Sequence, residues 1–244
     1  MMRDDKTGTV PGAPDRSLKK QCSLVRQALQ KYDMINEGDR ILVGVSGGKD
    51  SMGLLIAMTA IQKYYPKKFD VEAVTVDLGY EGFDTEGIQR FCESLKARCH
   101  VIKTEISVMA ADGGCSLCAH LRRGALADFA ARNGYDSIAL GHTMDDMTET
   151  MMLSLIHEGR FSTFLPVTYY EDKGVKIIRP YMFVTNAVSM GFSRKMNIPV
   201  VKNPCPFDHS TERSYVRNLL RDIEKHAPGA RERMMTAIMN GNIF

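Results

Sequence analysis

Arg40-Ile41-Leu42-Val43-Gly44-Val45-Ser46-Gly47-Gly48-Lys49-Asp50-Ser51-Met52 decides the fold. Residues 40–45 are a short apolar run of strand length. Gly47-Gly48 then sits among hydroxyl and charged side chains, and residues 52–64 read as a helix. Strand, glycine turn and helix open a βαβ unit. Glycines let the backbone turn tightly and approach a ligand without a Cβ in the way. Amides at the start of the helix, helped by its dipole, then face an anion. Ser46 and Ser51 add hydroxyl donors and Lys49 a point charge. The spacing is not that of a Walker A loop. A plain βα turn is the alternative reading, and the full run Ser46–Ser51 in this context favours phosphate.

Working outward, the pattern repeats. Residues 18–32 read as a helix and 71–76 as a strand, followed by helix 85–98, strand 99–103, helix 118–132, strand 137–140 and helix 145–157. Asn133-Gly134 is a good helix stop. This alternation predicts an α/β fold: a doubly wound parallel sheet with helices on both faces and ligands at the carboxyl ends of the strands. Residues 175–178 and 199–201 read as short extended pieces, 211–226 as a helix, and a last helix starts near Gly229. Residues 1–16 read as a flexible tail, and 17–244 as a single domain with a helical C-terminal extension.

The 244 residues carry a net charge of +3, with 44% hydrophobic and 25% charged residues, which is ordinary for a globular protein. No apolar run reaches the length of a membrane span, and the first residues do not resemble a secretory signal. A cytoplasmic location without membrane attachment is the expectation.

Cysteines occupy positions 22, 92, 99, 115, 118 and 205. Cys22, Cys92 and Cys99 suit small buried hydrophobes. Cys115-Ser116-Leu117-Cys118 precedes a predicted helix, where the dipole and nearby Arg122 and Arg123 favour thiolate. Cys205 lies between Pro204 and Pro206. A thioredoxin-like pair, a zinc site completed by His209, and an iron–sulfur cluster on three thiolates all remain open from the residues alone.

Two resemblances bear on this choice. Ser46–Ser51 resembles the signature of the PP-loop ATP pyrophosphatases, which split ATP between its α and β phosphates and adenylate an oxygen. The resemblance implies that Ser46, Gly47, Gly48, Lys49, Asp50 and Ser51 hold the pyrophosphate end of ATP. It also implies that Val76 and Leu78 flank the adenine. Cys115–Cys118, Leu121–Gly124, and Ile138-Ala139-Leu140-Gly141-His142 with Asp145-Asp146 resemble the tRNA 2-thiocytidine synthetase family, over roughly residues 18–240. That family implies a [4Fe-4S] cluster on Cys115, Cys118 and Cys205, Gly141 and His142 at the nucleotide, and Arg122 and Asp146 near the chemistry. Implied partners are tRNA and a sulfur donor, either a cysteine desulfurase or free sulfide; the oligomeric state stays open, a homodimer included. The family usually shows His-His-Arg-Asp-Asp where this chain has His142-Thr143-Met144-Asp145-Asp146, and it often has a second cysteine near the third ligand. Sulfuration of a small molecule and a non-catalytic nucleotide-binding iron–sulfur protein are the alternative functions.

Asp145 and Asp146 begin a predicted helix. They suit Mg²⁺ carried by ATP oxygens, or simple helix capping. Arg213, Arg217, Arg221 and Lys225 recur every four residues on one helix face. They suit an RNA backbone or a solvated surface.

Overall fold

The computed structural model describes residues 16–202, 204–205 and 212–241. Of the tail expected over residues 1–16, Arg16 opens a helix and the rest, like Pro206 and His209, lies outside the described residues. Six strands form one sheet: β1 (Asp39–Gly44), β2 (Phe69–Asp77), β3 (Cys99–Lys103), β4 (Ser137–Ala139), β5 (Val167–Tyr170) and β6 (Val175–Ile178). Their order is β3-β2-β1-β4-β6-β5. Every neighbouring pair is parallel except β5 with β6. The helices are α1 (Arg16–Lys31), α2 (Lys49–Ile61), α3 (Thr85–Ser94), the single turn α4 (Ile106–Met109), α5 (Gly114–Arg132), α6 (Met144–Leu153), α7 (Asn186–Lys195), α8 (Glu212–His226) and α9 (Ala230–Asn240).

Period-two alternation places a core on each face of the sheet. Ile41 and Val43 of β1 join Ala73, Ala139 and Ile178 under α1, α2 and α7. Leu42 points the other way, with Val74, Ile138 and Ile177 under α5. Helix α2 is buried nearly all round, from Ser51 to Ile61, because α1 and α7 cover the side that the sheet does not. Its sequence accordingly lacks a polar face. Met235 and Ile238 of α9 enter the same core, so the C-terminal helices pack onto the body of the domain.

Several boundaries differ from the sequence reading. Helix α2 begins at Lys49, so Lys49, Asp50 and Ser51 form its first turn. Helix α5 begins at Gly114, four residues early, and takes Cys115 and Cys118 into its first two turns. Helix α6 stops at Leu153 and the chain continues as a π turn over Ser154–Glu158. Residues 199–201 belong to no strand. Strand β5 and helix α7 were not anticipated.

The order 2-1-4 creates the topological switch. Chain connections leave β1 toward β2 on one side and β4 lies on the other, so a crevice opens at their carboxyl ends. Residues 45–48 and 140–143 face each other across it.

Candidate active site

The loop after β1 is held open by its own hydroxyls. The Ser46 amide donates to Ser51 Oγ at 3.0 Å, Ser51 Oγ donates to the Gly48 carbonyl at 3.0 Å, and the two hydroxyl oxygens are 3.1 Å apart. Gly47 has φ +81°, a conformation that disfavours any side chain. A Cβ there would also lie 2.8 Å from Val201 Cβ. Gly48 is the helix N-cap with no side-chain cap and φ −79°, and a Cβ there would meet only Ser46 Oγ, at 3.5 Å. The α2 amides therefore face the crevice, as a phosphate site requires. Lys49 Nζ lies 2.7 Å from both Asp50 oxygens, and Asp50 also accepts from Ser189 of α7. The loop lysine is thus folded onto its neighbour.

Val76 sits two residues past the last β1–β2 rung. The Val45 amide donates to the Val74 carbonyl at 2.8 Å, and the β1–β2 register ends at Gly44–Val74. Val76, two residues on, turns its peptide groups to the same side, where β1 has already become the loop. The Leu78 carbonyl accepts the Ser107 amide at 2.8 Å, so it is engaged within the protein. Gly141 packs directly against the first turn of α2: a Cβ there would meet the Ser51 backbone at 3.0 Å.

His142 follows Gly141 and stacks on Phe164, ring centroids 4.5 Å apart. Its Nδ1 is buried without a hydrogen-bond partner. Burial first, then Arg179, Arg122, Arg213 and Arg123, hold its pKa well below the usual imidazole value, so it is neutral near pH 7. Thr143 and Asp146 form a capping box: Asp146 Oδ2 accepts the Thr143 amide at 2.8 Å, and Thr143 Oγ1 accepts the Asp146 amide at 3.2 Å. Asp145 accepts the Asn186 amide at 2.6 Å and pairs with Arg231 at 3.1 Å. The capping reading describes Asp146, and both oxygens of Asp145 are engaged. Asp146 Oδ2 is thus taken up by the cap.

Cys115, Cys118 and Cys205 lie near enough to act on one another electrostatically. Cys115 is exposed, while Cys118 and Cys205 are partly buried. Cys205 Sγ lies 3.8 Å from Tyr80 Oη. Tyr80 is raised by burial, then by Cys205, Cys118 and Cys115. Burial raises the Cys118 thiol; Arg122 opposes this, and Cys205 and Cys115 add to it. The thiolate expected at Cys118 is therefore not favoured, because desolvation outweighs the arginine. Cys205 reaches this place through a tie to the phosphate loop: the Val201 amide donates to the Gly47 carbonyl at 2.9 Å. Among the described residues, no three His, Cys, Asp or Glu are gathered as ligands of one metal ion. Thiols are the donors an iron–sulfur cluster takes, so the residue types suit the expected group while their arrangement here is not that of a closed metal site.

The basic face of α8 divides. Arg217 makes a two-pronged pair with buried Glu149, at 3.0 and 3.2 Å, and so faces α6. Lys225 pairs with Asp222. Arg213 is the member that influences His142. Arg122, expected near the chemistry, keeps solvent exposure yet has protein around it, as a residue lining an open cleft does. Burial lowers its pKa, with Cys118 opposing and Arg123 adding. Sequence reading missed Tyr80, Phe164 and Arg179. The signal for Arg179 was present: a charged residue directly after the apolar strand β6.

Comparison with known proteins identifies the family. Residues 19–225 match the PP-loop domain family. The chain is 34% identical to the tRNA-cytidine(32) 2-sulfurtransferase of Bdellovibrio bacteriovorus, over 88% of this chain and 85% of that protein. It is 32% identical to the protein of the same name from Geotalea uraniireducens, over 93% of each. Among solved structures, the U34-tRNA thiolase NcsA from Methanococcus maripaludis, determined with its [4Fe-4S] cluster, matches with a TM-score of 0.76 at 25% identity, over 92% of this chain and 78% of that one. No described helix is long and apolar enough to cross a membrane. A phosphate loop after β1, a thiol set on the same edge and relatives this similar along nearly the whole chain place the protein in the PP-loop family, on the branch of the tRNA-cytidine(32) 2-sulfurtransferases.

Proposed function

We propose that this chain uses ATP to activate the C2 oxygen of a tRNA cytidine and replaces that oxygen with sulfur. The observation that carries the reading is the Val201–Gly47 hydrogen bond. It brings the segment leading to Cys205 against the phosphate loop, so nucleotide activation and sulfur delivery share one crevice.

In this reading the amides of Gly47–Ser51 and the Ser46 hydroxyl hold the pyrophosphate end of ATP, while the Ser46 amide and the Ser51 hydroxyl brace the loop. The peptide groups of Val76 and Leu78, with Gly141 and His142, flank the adenosine. The C2 oxygen attacks the α-phosphorus, and pyrophosphate leaves toward the loop, where fixed N–H dipoles stabilise its growing charge. A sulfide sulfur then forms a bond to C2, the C2–O bond breaks, and AMP departs with the oxygen. Cys115, Cys118 and Cys205 would hold a [4Fe-4S] cluster, which supplies an iron without a protein ligand for binding that sulfur. Arg122, next to Cys118, offsets negative charge around the thiolates. Asp146 sets the turn between β4 and α6 and so positions His142. The sulfur comes from a cysteine desulfurase or free sulfide, and a splayed single-stranded base is the RNA target. The cytoplasm is the compartment where tRNA, ATP and reduced thiols meet.

The test is anaerobic incubation of the protein with ATP, sulfide and unmodified tRNA, followed by mass spectrometry of the nucleosides. ATP-dependent 2-thiocytidine is expected. ATP cleavage with no sulfur in the RNA, or sulfur only in uridine, would overturn the reading.

A further inference from the structure

Helix α7 places a buried hydroxyl against the phosphate loop. Ser189 is fully buried, and its Oγ donates to Asp50 Oδ1 in the first turn of α2. Asp50 in turn holds Lys49 Nζ with both oxygens, at 2.7 Å each. Oδ1 therefore accepts from both residues, and one carboxylate joins the α7 hydroxyl to the loop lysine.

Helix packing fixes this contact. Asp50 and Gly53 lie three residues apart on α2, as Ser189 and Phe192 do on α7, so each pair shares a helix face. A Cβ at Gly53 would lie 3.6 Å from Phe192 Cδ1 and 2.5 Å from Tyr181 Oη. The glycine lets α7 close onto α2, and Phe192, 1% exposed, sets the register one turn on from Ser189. Tyr181 Oη is itself tied down, accepting from buried Gln21 of α1. The start of α7 is held by the Thr185 cap and by the Asn186 amide, which donates to Asp145 at 2.6 Å. Ser189 is thus presented to Asp50 by packing on both sides of it.

A phosphate bound at the α2 amides competes with Asp50 for the Lys49 ammonium. A partly buried carboxylate that gives up its cation is destabilised unless other donors remain. Asp50 has them. It stands in the first turn of α2, where the helix dipole favours negative charge, and Ser189 keeps its bond to Oδ1.

We propose that Ser189 is a positioning residue for ATP: it holds Asp50 while Lys49 turns from the carboxylate to phosphate, and so lowers the cost of that transfer. This rests on the reading of Ser46–Ser51 as the ATP loop. It adds to that loop a residue 139 positions from Asp50 in the chain, one that touches no substrate. Without the hydroxyl, Asp50 depends on Lys49 alone and retains the lysine against phosphate.

The test is a double-mutant cycle of Ser189→Ala and Lys49→Met in the full chain, read by ATP titration calorimetry, with circular dichroism to check the fold. Ser189→Ala removes one buried oxygen and should fold as wild type does. We expect it to weaken ATP about 3- to 10-fold, modest for a hydrogen bond to a charged group because Asp50 keeps contact with solvent. In the Lys49→Met background the same substitution should change ATP affinity by less than about twofold, since no lysine is left to release. Unchanged or tighter ATP binding in Ser189→Ala would overturn the role. So would equal losses in the two backgrounds, which would make Ser189 a brace that acts without Lys49. Failure of the wild-type protein to bind ATP would bring down the ATP-loop reading itself, and this role with it.

Discussion

Two adjacent glycines in the phosphate loop should respond in opposite ways to substitution. Gly47 has φ +81°, and a Cβ there would meet Val201 Cβ at 2.8 Å and Ile88 Cδ1 at 3.3 Å. The left-handed conformation costs an alanine about 1–2 kcal/mol, and forcing a methyl into a packed contact costs about 1–3 kcal/mol. Relaxation of the loop takes up part of this, leaving about 3 kcal/mol. For a chain of this size each kcal/mol shifts Tm by about 2–4 °C, so Gly47→Ala should melt about 6–12 °C low. Gly48 has φ −79°, and its nearest obstacle is Ser46 Oγ at 3.5 Å. Gly48→Ala should stay within about 2 °C of wild type, helped by reduced unfolded-state entropy. Gly48→Leu should fold and yet lose ATP, because the side chain fills the space where phosphate approaches the α2 amides. Gly47→Ala should also disturb the Cys205 segment, which hangs on the Gly47 carbonyl through Val201. Differential scanning calorimetry and ATP titration calorimetry on the three variants decide the matter. Equal melting temperatures for the two alanine variants, or normal ATP affinity in Gly48→Leu, would refute the reasoning.

Anaerobically purified protein should be brown, and Cys118→Ser or Cys205→Ser should remove the iron–sulfur absorbance; stoichiometric zinc without iron would rule out the cluster. A second test concerns acid stability. Glu72 accepts from Tyr135 Oη at 2.8 Å and lies 2.7 Å from His100 Nε2. Burial raises its pKa, but the hydrogen bonds from His100 and Tyr135 prevail and leave it below 4.5. The stability it contributes is therefore full above the unfolded value and is lost as pH falls through the lower folded value. Glu72→Gln should be less stable than wild type at pH 7 and should lose less on going from pH 6 to pH 3, read by urea melts; parallel losses would remove Glu72 from the account.

The parts of the fold that were legible are those whose cause is local. Strand β1, the glycine turn and α2 follow from six consecutive residues and a run of apolar ones. Helix α7 was not legible, because Asn186-Ala187-Val188-Ser189-Met190-Gly191-Phe192 has poor helix propensity. It is held by the Thr185 cap, which accepts the Val188 amide at 3.2 Å, and by burial of Phe192. Strand β5 is an antiparallel edge whose only rung partner is β6, a tertiary relation that Val167–Tyr170 do not announce. The same distinction runs through the site. The spacing Thr143-x-x-Asp146 is itself a capping-box pattern, and that local reading is the one the structure shows. The approach of the Cys205 segment to the phosphate loop depends on Val201 finding Gly47, which no spacing reveals.

The departure at residues 142–146 has a physical explanation. Thr143 is 2% exposed and caps α6 with its hydroxyl. Met144 is 6% exposed within the core beside Met147 and Met151, and its amide donates to the Val184 carbonyl at 2.9 Å. Position 144 thus points into apolar packing, where the arginine usual in the resembling family would be a buried charge. Substitution of Met144 by arginine should therefore cost stability, read as a lowered Tm, because it buries a charge among Met147 and Met151.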